Sequence, residues 1–118
     1  MIVVALVAAA ALGAVIRFFT EYRLPPVGST AFPRATLIVN VVGAFILGLL
    51  VDAPHDVRIV LGAGLCGALT TFSGVSLQLH RRIFAGSIRA AFSYLTILLA
   101  AGLIAAMSGI DLSSRLFS

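Results

Sequence analysis

Four long apolar segments make up most of this 118-residue sequence, and the stretches between them carry all of its prolines and most of its charged residues. A run of about 20 apolar residues is long enough to cross the hydrocarbon core of a bilayer as a helix. Charged residues are 10% of the chain, whereas a soluble domain of ordinary composition carries about 25%. The pattern therefore predicts an all-α membrane protein with four transmembrane helices, because the alternating strands of a membrane barrel are missing from the sequence.

The boundaries of the four spans follow from prolines and charged residues. We place the spans at about residues 2–19, 35–51, 57–79 and 90–110, within a single transmembrane domain covering residues 1–118. The prolines of residues 25–33 exclude a continuous helix in the first loop, and residues 52–56 form a tight second loop. The third loop is predicted to hold His80, Arg81, Arg82 and Arg89, and a short tail follows the fourth span.

The charge pattern indicates anchoring in a membrane rather than binding to a nucleic acid. The net charge of +4 comes from arginines that flank the apolar segments, which is typical of headgroup anchors in a cell inner or plasma membrane. With four spans, loops one and three share a side, and they carry Arg23, Arg34, Arg81, Arg82 and Arg89. The positive-inside rule then places these loops in the cytoplasm and both termini outside.

Two polar residues lie inside the predicted spans and need an explanation. Arg17, late in the first span, is interpreted either as an anchor that reaches the interface or as an anion-attracting charge at a pore mouth. Asn40 stands between aliphatic residues of the second span, where its amide must find a partner. It either forms an interhelical hydrogen bond or donates to an anion in a pore.

The third span contains a stretch of helix-weakening residues. Residues 62–74 include four glycines and three hydroxyl residues, and glycine costs about 1 kcal/mol in a helix interior. The stretch is either a packing face of small residues or a break in the helix near mid-membrane. A break would free carbonyl oxygens that suit a hard cation, and a helix N-terminus that suits an anion.

Three motifs in this order resemble the bacterial fluoride channels of the Fluc (CrcB) family. They are GAVIR at residues 13–17, Asn40 in the second span, and GALTTFS at residues 67–73. The resemblance covers nearly the whole chain, and the third motif is the specific one. It implies a passive fluoride-specific channel that works as an antiparallel dimer and lowers the toxicity of cytoplasmic fluoride.

The resemblance also implies roles for individual residues. The backbone carbonyls of Gly67 and Thr70 would hold a structural Na⁺ at the dimer centre, which is not transported. Fluoride would follow a path of donors, with Phe72 offering its positively polarised ring edge. The residues of this path are Asn40, Thr71, Phe72, Ser73 and Tyr94, with Arg17 as a possible charge at the pore mouth.

The sequence departs from the family at two places. The family continues TTFSTF where residues 70–75 read TTFSGV, so that Val75 stands in place of a second Phe. The family's hydroxyl track in the fourth span begins here with Tyr94, but Leu98 and Gly102 follow. Either the pore tolerates these losses, or the chain is one half of a heterodimer whose second homologous subunit supplies the missing groups. The skewed arginine distribution supports the heterodimer.

The sequence also bears on two rival functions and on an enzymatic one. A small four-helix multidrug or cation exporter needs a carboxylate inside the membrane, and none of the four predicted spans contains one. A non-conducting partner subunit of a heterodimeric channel remains an alternative. An enzyme is not expected, because His55 and His80 lie in loops or at a span end without a matching nucleophile or metal ligands.

Overall fold

The computed structural model describes residues 1–24 and 32–117, and these residues fold as helices without any strand. The predicted first loop falls mostly on residues 25–31, outside the described part. In chain order the elements are α1 (Ile2–Arg23), α2 (Arg34–Leu49), α3 (His55–Val57), a π-helical segment (Arg58–Cys66), α4 (Gly67–Leu69), α5 (Phe72–Phe84) and α6 (Ile88–Phe117).

Proline, glycine and serine set several of the helix ends. Pro33 immediately precedes the first residue of α2, where a missing N–H costs no helical hydrogen bond. After α5 the chain turns through Gly86 with a φ of +86°, a conformation that only glycine adopts without strain. The hydroxyl of Ser87 then accepts a hydrogen bond of 3.2 Å from the amide of Ala90, which caps the start of α6.

The helices confirm an all-α membrane protein at a coarse level. Three helical stretches are long and apolar enough to cross a bilayer: Ile2–Arg23, His55–Phe84 (α3 to α5 taken together) and Ile88–Phe117. Arg34–Leu49 is a shorter apolar helix. A helix of the 16 residues of α2 is about 24 Å long. The crossing of the membrane by α2 and the antiparallel dimer stay predictions.

The prediction for the third loop was wrong. Helix α5 continues to Phe84 and α6 begins at Ile88. His80, Arg81 and Arg82 therefore lie on α5, and Arg89 lies on α6. The helix passes through these polar residues because no proline or glycine interrupts it before Gly86. The predicted C-terminal tail is also helical to Phe117.

Close contact between α2 and α6 holds the two elements together. Gly48 of α2 lies directly against the carbonyl oxygen of Ala106, and Gly109 of α6 lies against that of Phe45. Without a side chain at either glycine, the two backbones approach closely, as small residues permit in membrane helices. Beyond the end of α2, the amide of Asp52 donates a 3.0 Å hydrogen bond to the hydroxyl of Ser113 on α6.

We expect Gly109→Ala to lower the free energy of unfolding by about 1–3 kcal/mol, because the new methyl group would overlap the backbone of α2. Gly102→Ala on the same helix is the matched control, since a Cβ there meets no atom within 4 Å. The control should leave stability unchanged or raise it by up to about 1 kcal/mol, since alanine is the better helix former. Thermal unfolding of the purified protein in detergent measures both, and equal effects of the two substitutions would contradict the packing described.

Candidate functional site

The third apolar segment is interrupted between α4 and α5. Helix α4 ends at Leu69, and Thr70 has the extended angles φ −79° and ψ 156°. Thr71 is also extended, with φ −149° and ψ 120°, and α5 begins at Phe72. The interruption falls inside the stretch of glycines and hydroxyl residues that the sequence singles out. Its placement at mid-membrane depth stays a prediction.

Helix α2 approaches the interruption at a glycine. A Cβ at Gly43 would overlap the side-chain methyl group of Thr70, so that only glycine leaves room for this threonine. One helical turn earlier on α2 lies Asn40. The close approach at Gly43 therefore brings the amide side chain of Asn40 to the backbone of the interruption.

Asn40 bonds both to its own helix and to the interruption. Its side-chain oxygen accepts a 3.1 Å hydrogen bond from the amide of Thr71. Its side-chain nitrogen donates a 2.7 Å hydrogen bond to the carbonyl oxygen of Thr36. An amide nitrogen carries two hydrogens, so one remains to donate elsewhere. Asn40 is half-buried, and it thus combines an interhelical hydrogen bond with a spare donor.

Hydroxyl groups organise the start of α5. The Thr71 hydroxyl accepts a 3.0 Å hydrogen bond from the amide of Gly74, which caps the helix. The same hydroxyl lies 3.0 Å from the hydroxyl of Ser73. Thr70 bonds backwards, donating from its hydroxyl to the carbonyl of Cys66 at 2.8 Å. The three hydroxyl groups therefore stabilise the interruption from both sides.

At the interruption, two backbone carbonyl groups lose the amide donors that a continuous helix would give them. In a continuous helix, the carbonyl of Gly67 would accept from the amide of Thr71, and that of Thr70 from the amide of Gly74. Here these amides donate instead to Asn40 and to the Thr71 hydroxyl. Gly67 and Thr70 are the two residues whose carbonyls the family resemblance assigns to Na⁺.

The predicted site residues lie in two different environments. Phe72 is 84% exposed on the surface of the chain, and Ser73 and Gly67 are exposed beside it. Tyr94 is instead fully buried, with its ring packed edge-on against Phe32 at a centroid distance of 5.6 Å. A single chain therefore does not bring the whole predicted fluoride path onto one surface.

Val75 also lies inside the chain. It is buried in a cluster with Tyr94 and Leu98. The residue that departs from the family pattern therefore contacts Tyr94 of the predicted path, and it does not face outwards beside Phe72.

Arg17 lies on α1, away from the ends of the helix. It is half-buried, one turn beyond Gly13, where α1 lies against the backbone carbonyl of Leu65 in the π-helical segment. The role of Arg17 as a charge at a pore mouth stays a prediction.

Two polar residues of α5 were missed by the sequence reasoning. Gln78 and Arg82 are both buried, and the guanidinium of Arg82 donates to the side-chain oxygen of Gln78 at 2.9 Å. Their separation of four residues, which places them on one face of a helix, was the available signal. It was overlooked because the predicted third span ended at residue 79.

The described residues form a helical membrane protein with a polar interruption in one helix. Among them, no group of three or more His, Cys, Asp or Glu side chains could hold a metal ion. Non-helical backbone within a membrane is tolerated only where it is buried in protein or lines a water-filled cavity.

Comparison with known sequences identifies the family. The family described as "CrcB-like protein, Camphor Resistance (CrcB)" matches residues 4–110. A relative from Deinococcus radiodurans, named "Fluoride-specific ion channel FluC", is 39% identical over 113 residues, which are 90% of this chain and 90% of the relative. The chain belongs to the CrcB family, which confirms the resemblance found from its motifs.

Other relatives carry the same description. A "Fluoride-specific ion channel FluC 1" from Symbiobacterium thermophilum is 43% identical over 93 residues, covering 72% of this chain and 74% of the relative. Another of that name from Streptococcus pneumoniae is 35% identical and covers 93% of this chain and 98% of the relative. The names describe ion channels and not enzymes, in agreement with the prediction that this chain is not an enzyme.

We expect Thr71→Val to lower the free energy of unfolding by about 1 kcal/mol, because the substitution keeps the shape of the side chain but removes the cap of α5. Thr71→Ser keeps a hydroxyl at the same position and is the matched control, with a smaller loss. Thermal unfolding in detergent measures both variants. Equal stability of the valine variant and the wild type would show that the hydrogen bond to Gly74 does not stabilise the interruption.

Proposed function

We propose that this chain is a subunit of a fluoride-specific channel that passively exports fluoride from the cytoplasm. The proposal is carried by the interruption at Thr70 and Thr71, where Asn40 keeps a spare donor hydrogen. Membership of a family whose relatives are named fluoride-specific ion channels supports the choice of ion.

The side chains near the interruption suit the chemistry of fluoride. Fluoride is small and strongly hydrated, so a path for it needs donors that replace water yet release the ion again. The Asn40 amide and the Ser73 hydroxyl are neutral donors, and the ring edge of Phe72 is weakly positive. The predicted spans hold no carboxylate that would repel an anion.

The export of fluoride needs no energy source other than the membrane potential. A negative cell interior drives an anion outward with about 2.3 kcal/mol per charge for each 100 mV. Fluoride that enters as neutral acid and ionises inside would therefore leave through the channel. We therefore propose that the protein lies in the plasma or inner membrane, with all four apolar segments crossing it.

A structural Na⁺ fits the interruption. The carbonyls of Gly67 and Thr70, whose usual helical donors bond elsewhere, would hold it. Bound there, Na⁺ would supply a fixed positive charge that stabilises oxygen atoms gathered at a helix break. Gly67 is exposed on the single chain. This exposure is consistent with a sodium site that a second subunit completes.

We also propose a dimer, with a homologous second chain as partner. Phe72, at 84% exposure, and the neighbouring Ser73 would line a path only if another chain covered them. The arginine distribution favours one fixed orientation in the membrane, and an antiparallel partner would then need the opposite distribution. We therefore propose a heterodimer. A fully active channel made of this chain alone would contradict it.

We expect Phe72→Ile to reduce fluoride efflux from liposomes by tenfold or more, which corresponds to about 1.4 kcal/mol. The substitution removes the ring edge but keeps an apolar side chain. Efflux is followed with a fluoride electrode in liposomes containing this chain alone and this chain with a co-encoded homologue.

Phe84→Ile is the matched control, because Phe84 lies on the same helix and is 78% exposed. The control should conduct like the wild type. If neither the chain alone nor the pair of chains conducts fluoride, the proposed function is wrong. If both variants conduct equally well, the assignment of Phe72 is wrong while the function stands.

We expect Na⁺ to raise the unfolding temperature relative to the large cation N-methyl-D-glucamine at equal ionic strength. A ligand at 100 times its Kd stabilises the folded state by about 2.7 kcal/mol. The measurement uses stability in detergent, so it is independent of conduction. Equal unfolding temperatures in the two cations, at Na⁺ concentrations up to the molar range, would exclude a structural sodium.

A further inference from the structure

Two grooves lie side by side along the first turns of α6, and the function proposed above uses neither. The polar groove has a volume of about 340 Å³ and is lined by Arg89, Phe92, Ser93, Thr96 and Ile97. The apolar groove lies between α5 and α6 and has a volume of about 200 Å³. Its lining residues are Leu79, Ile83, Ile88, Ala91, Phe92 and Leu95. Phe92 belongs to both grooves and lies on the boundary between them.

Both grooves start near the turn between α5 and α6 and extend along α6 in the same direction. The residues of α6 that line them recur every three or four positions, from Ile88 to Leu95 in one groove and from Arg89 to Ile97 in the other. This spacing keeps each set on one side of the helix. With a rise of about 1.5 Å per residue, the two grooves are about 10 and 12 Å long. That length suits a hydrocarbon chain rather than an inorganic ion.

The grooves lie on the outside of the chain, away from the predicted fluoride path. Phe92 is 68% exposed, and Arg89, Ser93 and Thr96 are exposed as well. Tyr94 of the predicted path shares α6 with them but is fully buried. The grooves are therefore a separate feature of the protein surface.

Arg89 brings a positive charge to the end of the grooves that is nearest the turn. All four acidic residues of the sequence lie within the described residues, and the ion pair formed there joins Arg115 to Asp111. No carboxylate of the described residues therefore pairs with Arg89. If all four apolar segments cross the membrane, as proposed above, the turn beside Arg89 lies at the arginine-rich membrane surface. An arginine at such a surface attracts anionic lipid headgroups.

We propose that one anionic phospholipid binds here, with its phosphate group at Arg89 and its two acyl chains on either side of Phe92. One chain fills the apolar groove, whose lining residues are all apolar. The other chain follows the polar groove towards Ile97. Ser93 lies one turn further along α6 than Arg89, where its hydroxyl can donate a hydrogen bond to an ester carbonyl of the lipid.

A phospholipid suits the grooves better than a second protein chain does. Charged residues are depleted at the centre of protein–protein interfaces, and Arg89 stands among apolar side chains without a counter-charge in the described part of the chain. An anionic lipid supplies both the counter-charge and the apolar contact in one molecule. This inference rests on the proposed membrane location and not on the conduction of fluoride.

The test uses a tryptophan as a reporter, because the sequence contains none. Phe92→Trp keeps an aromatic ring between the grooves. The chain is reconstituted in phosphatidylcholine liposomes in which a varied fraction of the lipid carries brominated acyl chains, which quench tryptophan fluorescence on contact. The brominated lipid is phosphatidylglycerol in one series and phosphatidylcholine in the other. We expect phosphatidylglycerol to bind about fivefold more tightly at residue 92, which is the effect of one arginine near an anionic surface.

Three further variants serve as controls. Phe18→Trp on α1 is matched in exposure, since Phe18 is 64% exposed, and it lies outside both grooves. It should show a much weaker preference for phosphatidylglycerol. Adding Arg89→Gln to Phe92→Trp should abolish the preference at residue 92. Adding Arg81→Gln, which removes an exposed charge from α5, should retain it.

Each outcome decides the proposal. Equal quenching by the two lipids at residue 92 overturns it, since ordinary boundary lipid then covers α6. No quenching by either lipid also overturns it and indicates that another protein chain covers the grooves. An equal preference at residues 18 and 92 that Arg89→Gln leaves unchanged assigns the effect to the overall charge of the protein and overturns the site. If the preference depends on Arg89 but no fluoride is conducted, the lipid site stands and the proposed function fails.

Discussion

The hydrogen bond from the amide of Thr71 to the side chain of Asn40 determines where the third apolar segment ceases to be a helix. In a membrane, a backbone amide removed from its helix must find another acceptor. Asn40 supplies it from α2, and the carbonyl of Gly67 is released as a result. An interhelical hydrogen bond of this kind contributes only about 0.6–2 kcal/mol. It is enough here because the Thr71 hydroxyl satisfies the amide of Gly74 as well.

This arrangement depends on how closely the helices pack. Gly43 leaves room for the Thr70 side chain, and Gly48 and Gly109 let α2 lie against α6. Helix α2 is thus held by α6 near its C-terminal end, and Asn40 meets the interruption about two turns earlier on the same helix. The glycines therefore do more than allow close packing. They fix the position of the Asn40 side chain relative to the amide of Thr71.

Much of this could be predicted from the sequence, because the strongest signals are local. An asparagine among aliphatic residues must find a partner, and a run of glycine and threonine weakens a helix. Both signals pointed to the segments that meet in the structure. The resemblance to the CrcB family, carried by residues 67–73, was confirmed by the family comparison.

The parts that were missed depend on tertiary contacts. The third span was ended at residue 79 because polar residues follow, but α5 continues to Phe84 and buries Arg82. Hydropathy alone cannot show that an arginine is covered by a tyrosine from the next helix. The π-helical segment Arg58–Cys66 has no signal in composition either. Its extra residue per turn arises where α1 packs against it, and insertions of this kind are frequent at functional sites.

The burial of Val75 changes what its departure from the family pattern means. Judged from the sequence alone, Val75 removes an aromatic ring from the fluoride path. In the structure it packs against Tyr94 and Leu98 inside the chain, so its size determines how much space surrounds Tyr94. The Tyr94 hydroxyl and Nη2 of Arg82 are both buried without a hydrogen-bond partner among the described residues. The departure at residue 75 therefore alters the packing around Tyr94 inside the chain, and it leaves the exposed surface beside Phe72 unchanged.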